Sequence, residues 1–158
     1  MRFLFFLLLA GCNVQFPTEA ENCGVFLDTQ NTDTWLAPVL NRIVVLTLDA
    51  AETTTDPRLQ DRETNCNAMR QTRVVVRPEA SWYSEVHGYW ISGFADCWKG
   101  YVVIGTPVDR WGQTALFHEL FHVMQACDAL PGSTKDGYPQ HEDWNTYGIN
   151  EAILGIRP

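Results

Sequence analysis

The sequence is short of positive charge. Eleven Lys and Arg stand against nineteen Asp and Glu, a formal net charge of -8. A groove that follows a phosphate backbone needs a basic footprint, so nucleic acid is not an expected partner. The same deficit disfavours electrostatic docking on anionic lipid. Long apolar runs are also missing. None reaches the roughly 18 residues of a spanning helix, so no transmembrane helix is expected. There is no internal repeat, no low-complexity tract and no second composition shift to mark another domain. Histidine is scarce, with four in the chain, and no two cysteines have the CxxC spacing of a thiolate zinc site. What is present is ordinary for a folded chain. Hydrophobic residues make up 46% and charged residues 19% of 158 positions, which suits one domain with a core of its own.

The N-terminus reads as an address. Met1-Arg2 is followed by the apolar stretch Phe3 to Leu9 and then by Ala10-Gly11-Cys12. One positive charge, a short apolar run and small residues form a secretory signal pattern. Leu9-Ala10-Gly11-Cys12 resembles the bacterial lipobox, in which cleavage falls before the Cys and its sulfur is acylated. The resemblance implies a lipoprotein signal peptide over 1–11, a lipid anchor through Cys12, a tether over 12–22 and a folded domain over 23–158. It places the chain in the bacterial cell envelope, and Asn13 in place of Asp favours the outer membrane. Without the acylation the chain would be secreted. Four cysteines then remain: Cys23, Cys66, Cys97 and Cys127. An even count in an exported chain reads as two disulfides, with three connectivities open.

Along the domain, the β-branched runs Ile43 to Leu48 and Val74 to Val76 predict strands, the second stopped by Pro78. Residues 49–65 read as an exposed connection with one helical turn. Tyr89 to Ala95 and Tyr101 to Ile104 predict two further strands around a turn at 98–100. The period then becomes helical. Thr106 is an N-cap, Pro107 follows it, and Gln113 to Ala126 reads as helix, with Gly112 the weak point of its start. Leu130-Pro131-Gly132 ends it, 132–140 form a loop, and Trp144 to Leu154 predicts a short second helix. The expected class is α+β: a mixed four-stranded sheet, then the long helix, then the short one.

The long helix carries His118-Glu119-Leu120-Phe121-His122, an HExxH motif. Positions i and i+4 lie one turn apart on one helix face, so both imidazoles can point at one ion. Zinc (Zn2+) accepts histidine nitrogen readily, and a catalytic site keeps a place for water. Glu119 cannot ligate from the same face but can reach that water as general base. A third ligand is needed. His141 is preferred, nineteen residues after His122 at the end of a loop. Glu151 and Glu142 are the alternatives, since carboxylates are also allowed. His87 reads as an exposed loop residue. Asp128 could orient an imidazole. The six Trp read as anchors of the core and its rim.

Residues 106–154 resemble the catalytic core of a zincin-type (HExxH) zinc metallopeptidase in a small version. They also resemble small exported bacterial lipoproteins in which HExxH is followed by a loop, a His and a nearby Trp. The metzincin continuation is absent between Val123 and Asp128. The string Asn150-Glu151-Ala152 resembles the Asn-Glu-Ala segment of thermolysin-like gluzincins, which is what makes Glu151 a rival ligand. The zincin resemblance implies a zinc-dependent, membrane-anchored peptidase in which Glu119 takes a proton from water activated by the ion. It implies a peptide or protein substrate laid as an added strand along an edge within 89–104. Tyr138 and Tyr147 are the nearest donors for an oxyanion, although packing is the simpler role for each. The rival function is a non-catalytic zincin-scaffold lipoprotein that binds peptide or protein partners in the envelope.

Overall fold

The β-branched run at 43–48 is helical. The computed structural model describes residues 23–28, 36–59, 61–85, 88–96, 99–105, 110–125 and 142–156, without the side chains of 110–114 and 142–143. In it α1 spans Ala37–Ala51, with a Pro in its first turn. Leu40, Ile43, Val44, Thr47, Leu48 and Ala51 are buried. These positions recur in steps of three and four, which is one face of a helix. A β-branched residue costs a helix at most about 0.7 kcal/mol, whereas burying an aliphatic side chain returns about 1.5–3 kcal/mol, so packing decides.

The connection expected at 49–65 is also more ordered than its composition implied. A 3-10 turn spans Pro57–Leu59. Helix α2 follows over Arg62–Ala68, and its N-cap Asp61 accepts the Thr64 amide at 2.8 Å. A disulfide joins Cys23 to Cys66, tying the chain just before β1 (Phe26–Leu27) to α2. Cys97 and Cys127 lie outside the described residues, as do Cys12 and the whole of 1–22.

The sheet is mixed and four-stranded, in the order β1, β2 (Arg73–Arg77), β6 (Tyr101–Gly105), β5 (Gly93–Asp96). Strands β2 and β6 run parallel to each other and to β1. Strand β5 is antiparallel and lies at the edge. A separate hairpin, β3 (Trp82–Ser84) with β4 (Tyr89–Ile91), precedes it. The class is therefore α+β with a four-stranded sheet, as expected, but β1 takes the place assigned to 43–48, and the strand expected over 89–95 divides at Ser92 into β4 of the hairpin and β5 of the sheet. Two helices also come before the central strands, so the order is not strands first.

Val74, Val76, Val102 and Ile104 bury one face of the sheet under α1 and α3 (Arg110–Met124). The opposite face carries an aromatic and cationic layer. Phe94 packs edge-on against Trp82 and Tyr101, and Arg77 lies 4.6 Å over the Trp82 ring. Gly105 has no room for a side chain, because a Cβ there would run into the carbonyl oxygens of Glu79 and Ala80. The helix expected over 144–154 is two helices, α4 (Glu142–Thr146) and α5 (Ile149–Gly155). They break at Gly148, whose φ of 72° suits a residue without a Cβ. The Trp residues divide. Trp144 is fully buried, whereas Trp90 is 68% exposed on the hairpin beside exposed Tyr83 and Tyr89. Among the described residues no helix is long and apolar enough to cross a membrane.

Candidate metal centre and edge strand

Helix α3 is apolar almost all round. Leu116, Phe117, Leu120, Phe121, Val123 and Met124 are buried, which seats the helix between α1 and the sheet. That setting leaves His118 and His122 half-buried and one turn apart. Their Nε2 atoms stand 3.2 Å apart, with the rings edge to face at 4.9 Å between centroids. Zinc–nitrogen bonds of about 2.0–2.1 Å at a tetrahedral angle put two ligand nitrogens about 3.3 Å apart. The pair therefore has the bite of a two-histidine zinc site. The same separation allows one Nε2–H to donate to the other ring when no cation lies between them.

Glu119 leaves α3 toward the sheet and is 6% exposed. It reaches β5, where a Cβ on Gly93 would stand 3.0 Å from its Oε1 and 3.2 Å from its Cγ. Gly93 thus makes the space the carboxyl occupies. Burial pushes the Glu119 carboxyl up to about 8, and a hydrogen bond from the Ala95 amide works the other way. The ladder explains why that amide is available. Gly105 N donates to Ser92 O at 2.9 Å, and the register pairs Phe94 with Val103. In an antiparallel pair the bonded residues alternate, so Gly93 and Ala95 turn their backbone groups away from β6. Glu119 accordingly sits on the outer side of the edge strand.

Trp144, from α4, covers the histidine pair. Its ring lies 4.6 Å from each imidazole, tilted by 51° to His118 and 37° to His122. Its Nε1 donates to Gln125 Oε1 at 3.1 Å, and Gln125 Nε2 donates to Asp56 Oδ2 at 2.8 Å. Asp56 is clasped by Arg58, which gives Nε at 2.9 Å to Oδ1 and Nη2 at 2.6 Å to Oδ2. Gln125 and Asp56 were not foreseen. Gln125 had a signal, since it continues the histidine face of α3 at i+7 from His118. Asp56 had none, because its partner Gln125 is 69 residues away.

The described residues bring no third His, Cys, Asp or Glu to the pair. His141 lies outside them, as do His87, Asp128 and Tyr138. Glu142 begins α4, but its side chain is not described. Glu151 is exposed on α5 and lines an open groove with Leu46, Asp49 and Thr53, so the structure does not bring it to the histidines. Tyr147 is half-buried, and the Arg58 guanidinium lies 5.8 Å from its ring centroid, which is the packing role. Comparisons with protein-family models, curated proteins and solved structures returned no match.

Proposed function

We propose that the chain is a zinc-dependent peptidase of the cell envelope, with Glu119 as general base. The observation that carries this reading is the 3.2 Å convergence of His118 and His122 beside a carboxyl held at a strand edge. A structural zinc site has no use for Glu119 there. When bound, the ion would polarise a substrate carbonyl and lower the pKa of water. His118 and His122 would hold it. His141 is the third ligand we favour. It precedes by three residues Trp144, whose ring lies 4.6 Å from both imidazoles.

The remaining steps belong to the chain's own residues. The outward backbone groups of Gly93 and the Ala95 carbonyl offer an extended peptide an edge to pair with, the Ala95 amide being held by Glu119. A peptide so aligned would run past Glu119, whose carboxyl, in its ionised form, would take a proton from water and return it to the leaving amine. Apolar side chains around α3 would exclude bulk water from that exchange. Lipid anchoring through Cys12 and passage through an oxidising compartment complete the reading, and the Cys23–Cys66 disulfide supports the second.

The test is elemental analysis of the purified chain with a peptide-hydrolysis assay. About one zinc per chain is expected. It should be lost in His118→Ala and His141→Ala and kept in Glu151→Ala. Glu119→Gln should keep zinc and lose hydrolysis. Zinc and peptide binding without hydrolysis in the wild type would instead favour the non-catalytic scaffold. Absence of zinc from oxidised, folded protein would refute both the metal and the activity.

A further inference from the structure

This inference rests on the zinc reading and concerns how the two ligands are held. A ring contact alone does not orient an imidazole, because the covering ring can itself tilt. Here the covering ring is pinned. Trp144 is 0% exposed, and its Nε1–H can only donate. The Asp56 carboxylate can only accept. Gln125, 1% exposed between them, must therefore present its oxygen to the indole and its amide nitrogen to Asp56. The order of donors and acceptors is fixed from one end to the other. It ends on Arg58, which closes on Asp56 through its side chain and through its own amide at 2.8 Å. The far end of the chain of bonds lies in the turn after α1, so three separate segments converge on one indole plane.

We propose that Trp144 is a positioning residue for His118 and His122, and that Gln125, Asp56 and Arg58 fix the plane in which it does so. The indole lies 4.6 Å from both imidazoles, so a rotation of its plane would displace both rings together. Outer partners of metal-ligating histidines are worth about 10–100-fold in metal affinity. In this protein that work falls to a buried aromatic face anchored by a polar relay.

The test uses the full chain and three variants. Gln125→Met keeps length and volume and removes both hydrogen bonds. Trp144→Phe keeps a ring and removes the anchoring N–H. Val44→Ala, a buried substitution in α1, reports the effect of lost stability alone. The first readout is the metal-free imidazole carbon–proton spectrum. In the wild type the His118 and His122 ring protons should be strongly displaced by the ring current of Trp144. In Gln125→Met and Trp144→Phe they should move toward averaged positions, and in Val44→Ala they should stay. The second readout is zinc affinity by chelator competition, which should fall about 10–100-fold in the first two variants and not in the third. Imidazole resonances that stay in place in both network variants, with melting temperatures lowered as in Val44→Ala, would overturn the proposal. If Gln125→Met does not fold, the zinc affinity of Trp144→Phe decides, since losing the indole alters the ring current by itself. A wild type that binds no zinc would refute the peptidase reading, while the metal-free spectra would still decide the positioning role.

Discussion

Asp56→Asn should cost about 3 kcal/mol at neutral pH and less in acid. The carboxylate is 2% exposed and accepts from Arg58 Nε, from Arg58 Nη2, from the Arg58 amide and from Gln125. Asn is nearly isosteric, but its NH2 would face a donor, either the guanidinium or the Gln125 amide. Removing one partner of a buried ion pair costs about 3–5 kcal/mol. The Arg58 side chain is 16% exposed and retains some water, so the lower end applies. The pH dependence follows from the Asp56 pKa. Burial works to raise it, but the hydrogen bonds of Arg58 and Gln125 and the guanidinium charge outweigh burial and hold it below the ordinary 3.8. A depressed folded pKa contributes stability that is complete above the unfolded value, about 3.9, and is lost as pH falls through the folded one. Urea unfolding of both chains should therefore show a constant difference above about pH 5 that shrinks below about pH 4. Every other carboxyl is common to both chains and cancels from the difference. A gap that is the same in strong acid as at pH 7, or smaller than about 1 kcal/mol at pH 7, would refute the argument.

Other outcomes follow from single contacts. The Cys23–Cys66 bridge closes a separation of 43 residues, so Cys23→Ala with Cys66→Ala should lower stability by about 4 kcal/mol in urea. Peptide mapping that pairs Cys23 with another cysteine would remove the basis of that figure. Gly93→Ala would put a methyl 3.0 Å from Glu119 Oε1 and 3.3 Å from Val103 O. It should cost about 1 kcal/mol of stability and about tenfold in hydrolysis, with zinc content unchanged. Glu119→Gln should reduce hydrolysis about 100-fold or more without loss of zinc, whereas His122→Ala should lose both. Loss of zinc from the Glu119 variant would show that the carboxyl supports the site instead of the chemistry.

Several features were legible because their physics is local. The HExxH helix is visible since apolar side chains and both histidines recur at helical spacing, and the structure puts the two rings where that spacing requires. Val74 to Val76 and Tyr101 to Ile104 were legible as strands bounded by Pro and Gly, and they pair with each other. In α1 the steps of three and four from Leu40 to Ala51 carry the helical signal, whereas the β-branched composition of 43–48 alone favours a strand. Strand β1, two residues long, is too short to give any pattern.

By itself the sequence determined the negative charge, the count of cysteines and the histidine–glutamate turn. Each depends on residue type or on spacing within one element. Only the tertiary structure decided that Cys23 pairs with Cys66, and that β5 is the edge strand whose Gly93 and Ala95 meet Glu119. It alone joined Trp144, Gln125 and Asp56 into one network. Such contacts join residues far apart in the chain. They form because packing the sheet, α1 and α3 around one core brings those residues together, and no local propensity records that meeting.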